Sequence, residues 1–328
     1  MKKSLKFRHF LGAAVLAAAL SPALATAQTA ETYTPSVGQM GKDVVWVPTP
    51  DGLVDRMLDM AKVTKQDFLI DLGSGDGRTV IAAAKRGVKA LGVEYNPDMV
   101  RLSRTNAQNA GVTNMVEFVH GDIFEYNFSK ATVLTLFLLP HLNVKLRPII
   151  LDMKPGTRVV SNSFDMGDWN PDERAEAKGE CTSYCRAMLW IVPAKVGGEW
   201  SGANGRLSLN QTYQTFAGSI TMGGSTSQIT SGKINADAVE FEAGGKRYKG
   251  KVDGNRMSGT IEGSKRHLDD DARCCEISFA IKKQGRAGNS APFLFGKTLA
   301  DIRQCRAQNR AARRQSPLAL PSASYGRS

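Results

Sequence analysis

The stretch IDLGSGDGRT, residues 70–79, joins a short hydrophobic run to a segment with helical periodicity. Its three glycines, Gly73, Gly75 and Gly77, stand at alternate positions directly after the run. Glycines at a strand-to-helix turn let the backbone approach a ligand closely, and the start of the following helix presents unpaired N–H groups. The stretch therefore predicts a ligand-binding turn between a buried strand over residues 67–72 and a helix over residues 79–86.

The residue types in this turn favour a ligand with a positive amine. Dinucleotide-binding proteins space their glycines as G-x-G-x-x-G, whereas the third glycine comes one residue earlier here. Asp71 stands two residues before the first glycine, where a carboxylate is poorly placed beside a pyrophosphate. The same carboxylate can pair with an ammonium group. A nicotinamide cofactor is the rival hypothesis.

Strand and helix patterns alternate over the first half of the chain. Helical spacing recurs after Thr49, which is the predicted N-cap of a helix whose first residue is Pro50. Further strands are predicted over residues 89–93, 116–119, 132–139 and 158–161, and further helices over residues 97–109 and 142–153. This alternation predicts an α/β fold, a Rossmann-like parallel sheet with helices on both faces.

The pattern changes near Pro193. Residues 196–283 consist of short period-two segments separated by Gly, Asn, Asp and Ser, and they contain no convincing helical run. The stretch VDGNR, residues 252–256, carries an Asp-Gly hairpin signal. We therefore predict a second, small all-β domain, a barrel or a sandwich, built as a meander.

The two ends of the chain differ from its body. Residues 1–27 have a basic start, a short apolar run and an Ala-x-Ala site, which predict a signal peptide and a periplasmic, exported protein. An uncleaved anchor in the inner membrane is the alternative. Residues 284–328 carry a net charge of +7 and are predicted to form a basic, partly disordered tail. Because residues 9–283 carry only +1 of the total +12, the charge predicts no nucleic-acid surface. It favours contact of the tail with an anionic membrane, and a solvated tail is the alternative.

The chain has five cysteines, at positions 181, 185, 274, 275 and 305. In an exported protein they are candidates for disulfides. Four of them could instead act as metal thiolates, but their spacing matches no zinc finger or ribbon pattern. We therefore predict disulfides or free thiols and no metal site, and the pairing stays open.

The motif DLGSGDG resembles the first motif of the class I, seven-stranded, S-adenosyl-L-methionine (SAM)-dependent methyltransferases. The resemblance covers about residues 46–192 and implies a methyltransferase domain over residues 28–195. It implies that Asp71 and the three glycines hold the methionine end of SAM. Glu94, after the second strand, would bind the ribose hydroxyls, and Asp122, after the third, would contact the adenine amine.

A narrower resemblance links the chain to the subgroup that contains mitochondrial protein-lysine methyltransferases and bacterial relatives. It is carried by VPTP and VDRMLDMA, residues 47–50 and 54–61, by residues 71–87, and by the stretch TLFLLPHLNVKLRPIILDMKPGTRVVSNSFDMGDW, residues 135–169. This resemblance implies a lysine amine, and hence a protein, as the methyl acceptor. The signal peptide and the β domain are departures from the subgroup, so the acceptor stays open.

The acceptor is expected beside the end of the fourth strand. Leu138, Leu139 and Pro140 would form an apolar wall there, suited to a lysine stem or to a lipid-like acceptor. Asp165 and Asp168 follow the fifth strand and are candidate catalytic residues that receive the acceptor's proton. A second hypothesis is an exported binding protein that holds SAM without turnover and engages an envelope component through its β domain.

Overall fold

The computed structural model describes residues 33–262 and 275–281. The predicted signal peptide and the basic tail lie outside these residues, so both stay predictions. The described residues from Pro35 onward belong to one compact unit. Among the helices of the described residues, none combines the length and the apolarity needed to cross a bilayer.

The first half of the chain forms a seven-stranded sheet with the order β3-β2-β1-β4-β5-β7-β6. Strands β1 to β5 are parallel, whereas β7 runs antiparallel to β5 and β6 runs antiparallel to β7. The strands are Phe68–Leu72 (β1), Lys89–Glu94 (β2), Val116–His120 (β3), Val133–Leu136 (β4), Arg158–Asn162 (β5), Glu173–Glu176 (β6) and Arg186–Ile191 (β7). The helices are Asp51–Met60 (α1), Arg78–Lys85 (α2), Pro97–Asn109 (α3) and Pro140–Leu151 (α4).

Two apolar cores cover the two faces of this sheet. Successive side chains of a strand point to opposite faces, so Leu69 packs with α1, α2 and α3, whereas Ile70 and Leu72 pack with α4. Strand β1 lies between β2 and β4, where the strand order changes direction. In such sheets, ligands bind beyond the carboxyl ends of the strands at this point. The predicted α/β fold is confirmed.

The structure corrects two local predictions. Helix α1 begins at Asp51, and Pro50 occupies its N-cap position. Thr49 is not the cap, because its buried hydroxyl accepts a hydrogen bond from Asn162 Nδ2 at 3.3 Å. The strand predicted over residues 132–139 ends at Leu136, because the chain leaves the sheet there before Pro140 begins α4.

The second half forms a closed, antiparallel eight-stranded barrel in which β15 pairs with both β14 and β8. Alternate side chains fill its interior, including Trp200, Phe216, Phe241 and Phe279, so the barrel is a packed core. The predicted small β domain is therefore present as a barrel. The strands are Gly198–Gly202 (β8), Gly205–Thr212 (β9), Thr215–Met222 (β10), Ser225–Asn235 (β11), Ala238–Ala243 (β12), Lys246–Asp253 (β13), Arg256–Glu262 (β14) and Cys275–Ile281 (β15).

The turn between β9 and β10 attaches the barrel to the sheet. The ring of Tyr213 stacks on the buried ring of Trp169, with 5.8 Å between centroids. Trp169 Nε1 donates a hydrogen bond to Gln214 Oε1 at 2.9 Å, and Gln214 Nε2 donates to Asn170 O at 2.8 Å. The segment after β5 is therefore fixed to the barrel. The domain boundary near residue 195 stays a prediction.

Candidate functional site

A cavity of about 330 Å³ lies at the carboxyl edge of the sheet. This volume falls within the range of small-molecule sites. Its walls come from the glycine turn after β1, the ends of β2 and β4, the segments after β3 and β5, and residues 39–49 from the N-terminal side. The predicted cofactor residues that line it are Asp71, Gly73, Gly75, Glu94 and Asp122.

The three glycines adopt the left-handed conformation that the turn requires, with φ of +80°, +54° and +81°. A Cβ at Gly75 would lie 2.8 Å from Trp46 Nε1, and a Cβ at Gly77 would lie 2.7 Å from the ring of Phe118. Gly77 is the N-cap of α2. It is not among the described residues that line the cavity, but it shapes the turn that contributes to the cavity wall. The left-handed backbone and the lack of room for a Cβ therefore both require glycine at these positions of the turn.

Asp71 is the buried, next-to-last residue of β1 and lines the cavity. Its Oδ1 accepts a hydrogen bond from Thr135 Oγ1 at 2.6 Å. Burial raises the pKa of the Asp71 carboxyl to about 7, and the nearby acids Glu94 and Asp76 act in the same direction, against the hydrogen bond from Thr135. A positive ligand group would stabilise the ionised form of this carboxyl. The environment therefore suits an ammonium ligand.

The other two predicted carboxylates are held in place by the backbone. Glu94 accepts hydrogen bonds from Gly75 N and from Asn96 N, each at 2.9 Å, so it is tied to the glycine turn. Asp122 accepts a hydrogen bond from Phe124 N at 2.9 Å and forms an ion pair with Lys42. The Lys42 ammonium lowers the pKa of Asp122, which therefore stays ionised at neutral pH.

Residues 39–49 form one wall that the sequence did not reveal as part of the site. Met40 and Val45 pair as an isolated bridge, and Lys42 lies over the ring of Tyr95 at 4.8 Å from its centroid. Trp46 lies against the glycine turn. The motif VPTP, which carried part of the family resemblance, lies at the end of this wall.

Three aromatic rings stand at the side of the cavity where the acceptor was expected. Phe137 and Phe164 stack with 6.1 Å between centroids, and Tyr184 lies 5.2 Å from Phe137 and 5.8 Å from Phe164. We call Phe137, Phe164 and Tyr184 the aromatic triad. Its members follow β4 and β5 and precede β7, so they meet only in the fold.

The predicted acceptor-side residues divide into two groups. Leu138 and Leu139 line the cavity next to the aromatic triad, whereas Pro140 is exposed as the first residue of α4. Asp165 is exposed, and its carboxylate accepts a hydrogen bond from Gly167 N at 3.1 Å. Neither Pro140 nor Asp165 is among the described residues that line the cavity.

Asp168 also lies outside the described cavity wall. It accepts a hydrogen bond from Tyr213 Oη at 2.9 Å and forms an ion pair with Arg147. Tyr213 and Arg147 lower the pKa of Asp168, which makes it a weaker proton acceptor. The positions of Asp165 and Asp168 therefore do not support the catalytic roles predicted for them. The neighbouring residue Phe164 is the member of this segment that reaches the cavity.

Cys181 and Cys185 form a disulfide in the loop between β6 and β7. The sequence left disulfides and free thiols open for these cysteines, and the structure shows a disulfide, not a pair of metal thiolates, at Cys181 and Cys185. Within the described residues, no group of three or more side chains is arranged to hold a metal ion. The side chains of Cys274, Cys275 and Cys305 lie outside the part of the chain that the structure describes.

Comparison with known proteins identifies the protein family of this chain. Residues 71–173 match the family model described as the ANTKMT methyltransferase domain. A protein-lysine N-methyltransferase of Saccharolobus islandicus is 47% identical over 133 residues, which are 40% of this chain and 83% of that protein. The chain belongs to the SAM-dependent protein-lysine methyltransferase family. The cofactor of this methyltransferase is S-adenosyl-L-methionine.

Other relatives carry related names. The mouse adenine nucleotide translocase lysine N-methyltransferase is 35% identical over 105 residues, which are 31% of this chain and 46% of the mouse protein. A solved Salinibacter ruber RNA methyltransferase in complex with S-adenosyl-L-homocysteine is 49% identical, with a TM-score of 0.43. That alignment covers 46% of this chain and 96% of the other. The family match ends at residue 173, before the barrel begins at Gly198.

The residues around the cavity fit SAM. A buried carboxyl whose pKa is raised to about 7 suits the ammonium group of the methionine end, and the turn has no room for side chains. When bound, SAM supplies an activated methyl group. Asp71, Glu94 and Asp122 are the residues that can hold its amine, ribose and adenine, and these roles stay predictions.

We expect Glu94→Ala to weaken SAM binding about tenfold or more, because a carboxylate that accepts hydroxyl hydrogen bonds contributes about 1.5–3 kcal/mol. The substitution also releases the backbone N–H groups of Gly75 and Asn96. Calorimetric titration with SAM measures the change. Glu117→Ala, at an exposed glutamate of the neighbouring strand β3, is the matched control. Equal affinity in folded Glu94→Ala protein would remove Glu94 from the binding site.

Proposed function

We propose that this enzyme transfers a methyl group to a lysine amine of a protein, and that the lysine enters at the aromatic triad. The observation that carries the proposal is the position of Phe137, Phe164 and Tyr184. These rings line the same cavity as Asp71 and the glycine turn. A single cavity therefore offers a polar end for the cofactor and an apolar, aromatic end for the acceptor.

The chemistry of the aromatic end suits a lysine side chain. Leu138 and Leu139 extend the apolar surface beside the triad, which can cover the four-carbon stem of the lysine. Removal of the amine from water lowers its pKa and favours the neutral form, which is the nucleophile. Aromatic faces then attract the cationic methylated product. Tyr184 lines the cavity and is 40% exposed, so this side of the cavity borders solvent and water can receive the proton.

The relatives support the same class of acceptor. The Saccharolobus and mouse proteins are both lysine methyltransferases by name, and the name of the mouse protein includes a protein acceptor. These names belong to the relatives. For this chain they favour a protein acceptor over a small molecule. The barrel lies beyond the family match, so it is the part best placed to select that protein.

The disulfide supports an oxidising compartment as the place where the enzyme works. Structural disulfides persist in exported proteins and are rare in the cytosol, and the chain forms one between Cys181 and Cys185. Together with the predicted signal peptide, this pair favours the periplasm and an envelope protein as acceptor. The basic tail would then contact the anionic membrane surface.

The experiment that tests the proposal is transfer of label from tritiated SAM to a bacterial envelope extract. After acid hydrolysis, we expect the label in methylated lysine. We also expect protease, but not nuclease or lipid extraction, to remove it from the macromolecular fraction. Asp71→Asn serves as the cofactor-deficient control. Label at another residue, in nucleic acid or in lipid would contradict the proposal. Tight SAM binding without any label would favour the binding-protein hypothesis.

A further inference from the structure

We infer that the Cys181–Cys185 disulfide positions Tyr184 in the acceptor site, so that reduction of this disulfide lowers methyl transfer without weakening SAM binding. The inference rests on the proposed function, because it assigns Tyr184 to the acceptor end of the cavity. It adds a positioning element and a redox dependence that lie outside the region matched by the family model, residues 71–173.

The disulfide closes a five-residue loop around Tyr184. Cys181 and Cys185 are bonded across the tip of the connection between β6 and β7. Tyr184, next to the second cysteine, has a backbone φ of +55°. Non-glycine residues adopt this left-handed conformation only where the surrounding structure enforces it. The disulfide is the covalent constraint adjacent to Tyr184.

The base of the loop is fixed independently of the disulfide. Ala177 N donates a hydrogen bond to Cys185 O at 2.7 Å, and Lys178 N donates to Gly52 O at 3.2 Å. The loop lies so close to α1 that a Cβ on Gly52 would stand 2.0 Å from Lys178 O. Loss of the disulfide would therefore leave the base in place and release mainly the tip that carries Tyr184.

Tyr184 completes the aromatic triad by contacting both other rings. Phe137 and Phe164 follow directly after the ends of β4 and β5, so the sheet holds them close together. Tyr184 reaches them from the loop, with ring centroids 5.2 Å and 5.8 Å away, and this residue is 40% exposed. The cofactor end at Asp71 and the glycine turn belongs to β1 and the start of α2. Release of Tyr184 therefore changes the acceptor end and leaves the cofactor end intact.

The redox step is an ordinary thiol–disulfide exchange. A dithiol reductant transfers two electrons and two protons to the Cys181–Cys185 bond, which yields two cysteine thiols, and the reductant becomes its own disulfide. Tyr184 can then leave the left-handed conformation. Because misplacement of a substrate-positioning group by about 1 Å can cost up to about a hundredfold in rate, we expect reduction to slow transfer by about tenfold or more.

The test compares oxidised and dithiol-reduced full-length enzyme, with tritiated SAM and bacterial envelope extract as the acceptor probe. Cys181→Ser/Cys185→Ser reproduces the open loop without affecting the other three cysteines. We expect reduction, the double serine variant and oxidised Tyr184→Leu each to lose about tenfold in labelling, with a Kd for SAM within about twofold of the oxidised enzyme. Ser183→Ala, at an exposed position of the same loop, is the matched control and should keep full labelling.

A second measurement, which needs no acceptor, separates positioning from catalysis. Hydrogen exchange of SAM-bound enzyme should become faster over residues 181–187 on reduction and should stay unchanged over residues 71–79.

The labelling assay can also be combined with the Tyr184→Leu variant. Reduction of Tyr184→Leu should cause no further loss of labelling, because the disulfide acts on labelling through the ring that this variant already lacks.

Unchanged labelling or unchanged exchange on reduction would overturn the inference, as would an equal loss of SAM binding. If the label appears on a residue other than lysine, the proposed function fails. The ratio of labelling by oxidised enzyme to labelling by reduced enzyme would still decide whether the disulfide contributes to methyl transfer.

Discussion

The Asp71→Asn variant is expected to bind SAM about ten- to hundredfold more weakly than the parent at pH 7.4. Asp71 faces the cavity from the end of β1, and burial raises the pKa of its carboxyl to about 7. Asparagine keeps the size of the side chain and can still accept the hydrogen bond from Thr135. The substitution therefore removes the charge that we predict to pair with the ammonium group of the cofactor, and little else.

The same carboxyl predicts how SAM affinity depends on pH. Only the ionised form of Asp71 pairs with the ammonium group, and an α-amino group keeps its charge up to about pH 7.7. Between pH 6 and 7.4 the ionised fraction of a group with a pKa of about 7 increases, so the affinity of the parent should increase roughly eightfold. Calorimetric titration of Asp71→Asn should show no such increase, whereas Asp98→Asn, at a partly exposed residue of α3, should show the parent's profile.

A stability measurement tests whether misfolding, and not loss of the charge, causes the weaker SAM binding of Asp71→Asn. The folded, cofactor-free protein holds a proton on Asp71 up to about pH 7, whereas an unfolded aspartate releases it near its ordinary pKa of 3.8. The contribution of Asp71 to the free energy of unfolding therefore decreases as pH rises through this window. Asp71→Asn should remove that decrease and raise the melting temperature of free protein at pH 7.4. Unchanged SAM affinity, or a lower melting temperature, would contradict this account of Asp71.

The Trp169→Ala variant is expected to lose about 3–5 kcal/mol in the free energy of unfolding, the usual range for a buried tryptophan. Trp169 is fully buried, and it stacks on Tyr213 and bonds Gln214 in the turn between β9 and β10. The indole N–H of Trp190 also donates to Trp169 O at 2.7 Å. The substitution therefore weakens the sheet, the barrel and the contact between them.

Calorimetric unfolding of two variants tests whether sheet and barrel unfold together. Trp200→Ala, a matched substitution in the barrel interior, removes a residue that is 1% exposed. We expect both variants to lower one common transition, because the turn around Tyr213 couples the two parts. On the same argument, a fragment that ends at residue 195 should be unstable, since it uncovers Trp169. Two separate transitions, with each variant affecting only one, would contradict the coupling.

The cofactor end of the site was predictable because its residues follow consecutive elements of a regular fold. Asp71, the glycines and Glu94 stand at the ends of parallel strands, and the carboxyl ends of such strands meet at one edge. The third parallel strand brought Asp122 to the same edge by the same rule. Local pattern and strand order were therefore sufficient to assemble this end of the cavity.

The acceptor end could not be assembled from the sequence in this way. Tyr184 is 111 residues away from Gly73 in the chain, and it lies in the loop between β6 and β7, of which β6 carries a weak strand signal. The exposed strand β6 reads ERAE and has no apolar alternation. The two cysteines around Tyr184 were the available signal, but their pairing was open until the loop was seen. Asp165 and Asp168 were chosen for their chemistry, whereas the fold brings Phe164 to the cavity.

The most direct test of the central claim is a crystal structure of the oxidised enzyme with S-adenosyl-L-homocysteine. The claim is that one cavity holds the cofactor by Asp71 and Glu94 and directs its sulfur toward Phe137, Phe164 and Tyr184. We predict that the amino group of the ligand contacts Asp71, that its ribose hydroxyls contact Glu94, and that its sulfur faces the aromatic triad. A ligand bound with its sulfur directed away from the triad, or with its amino group away from Asp71, would contradict the claim.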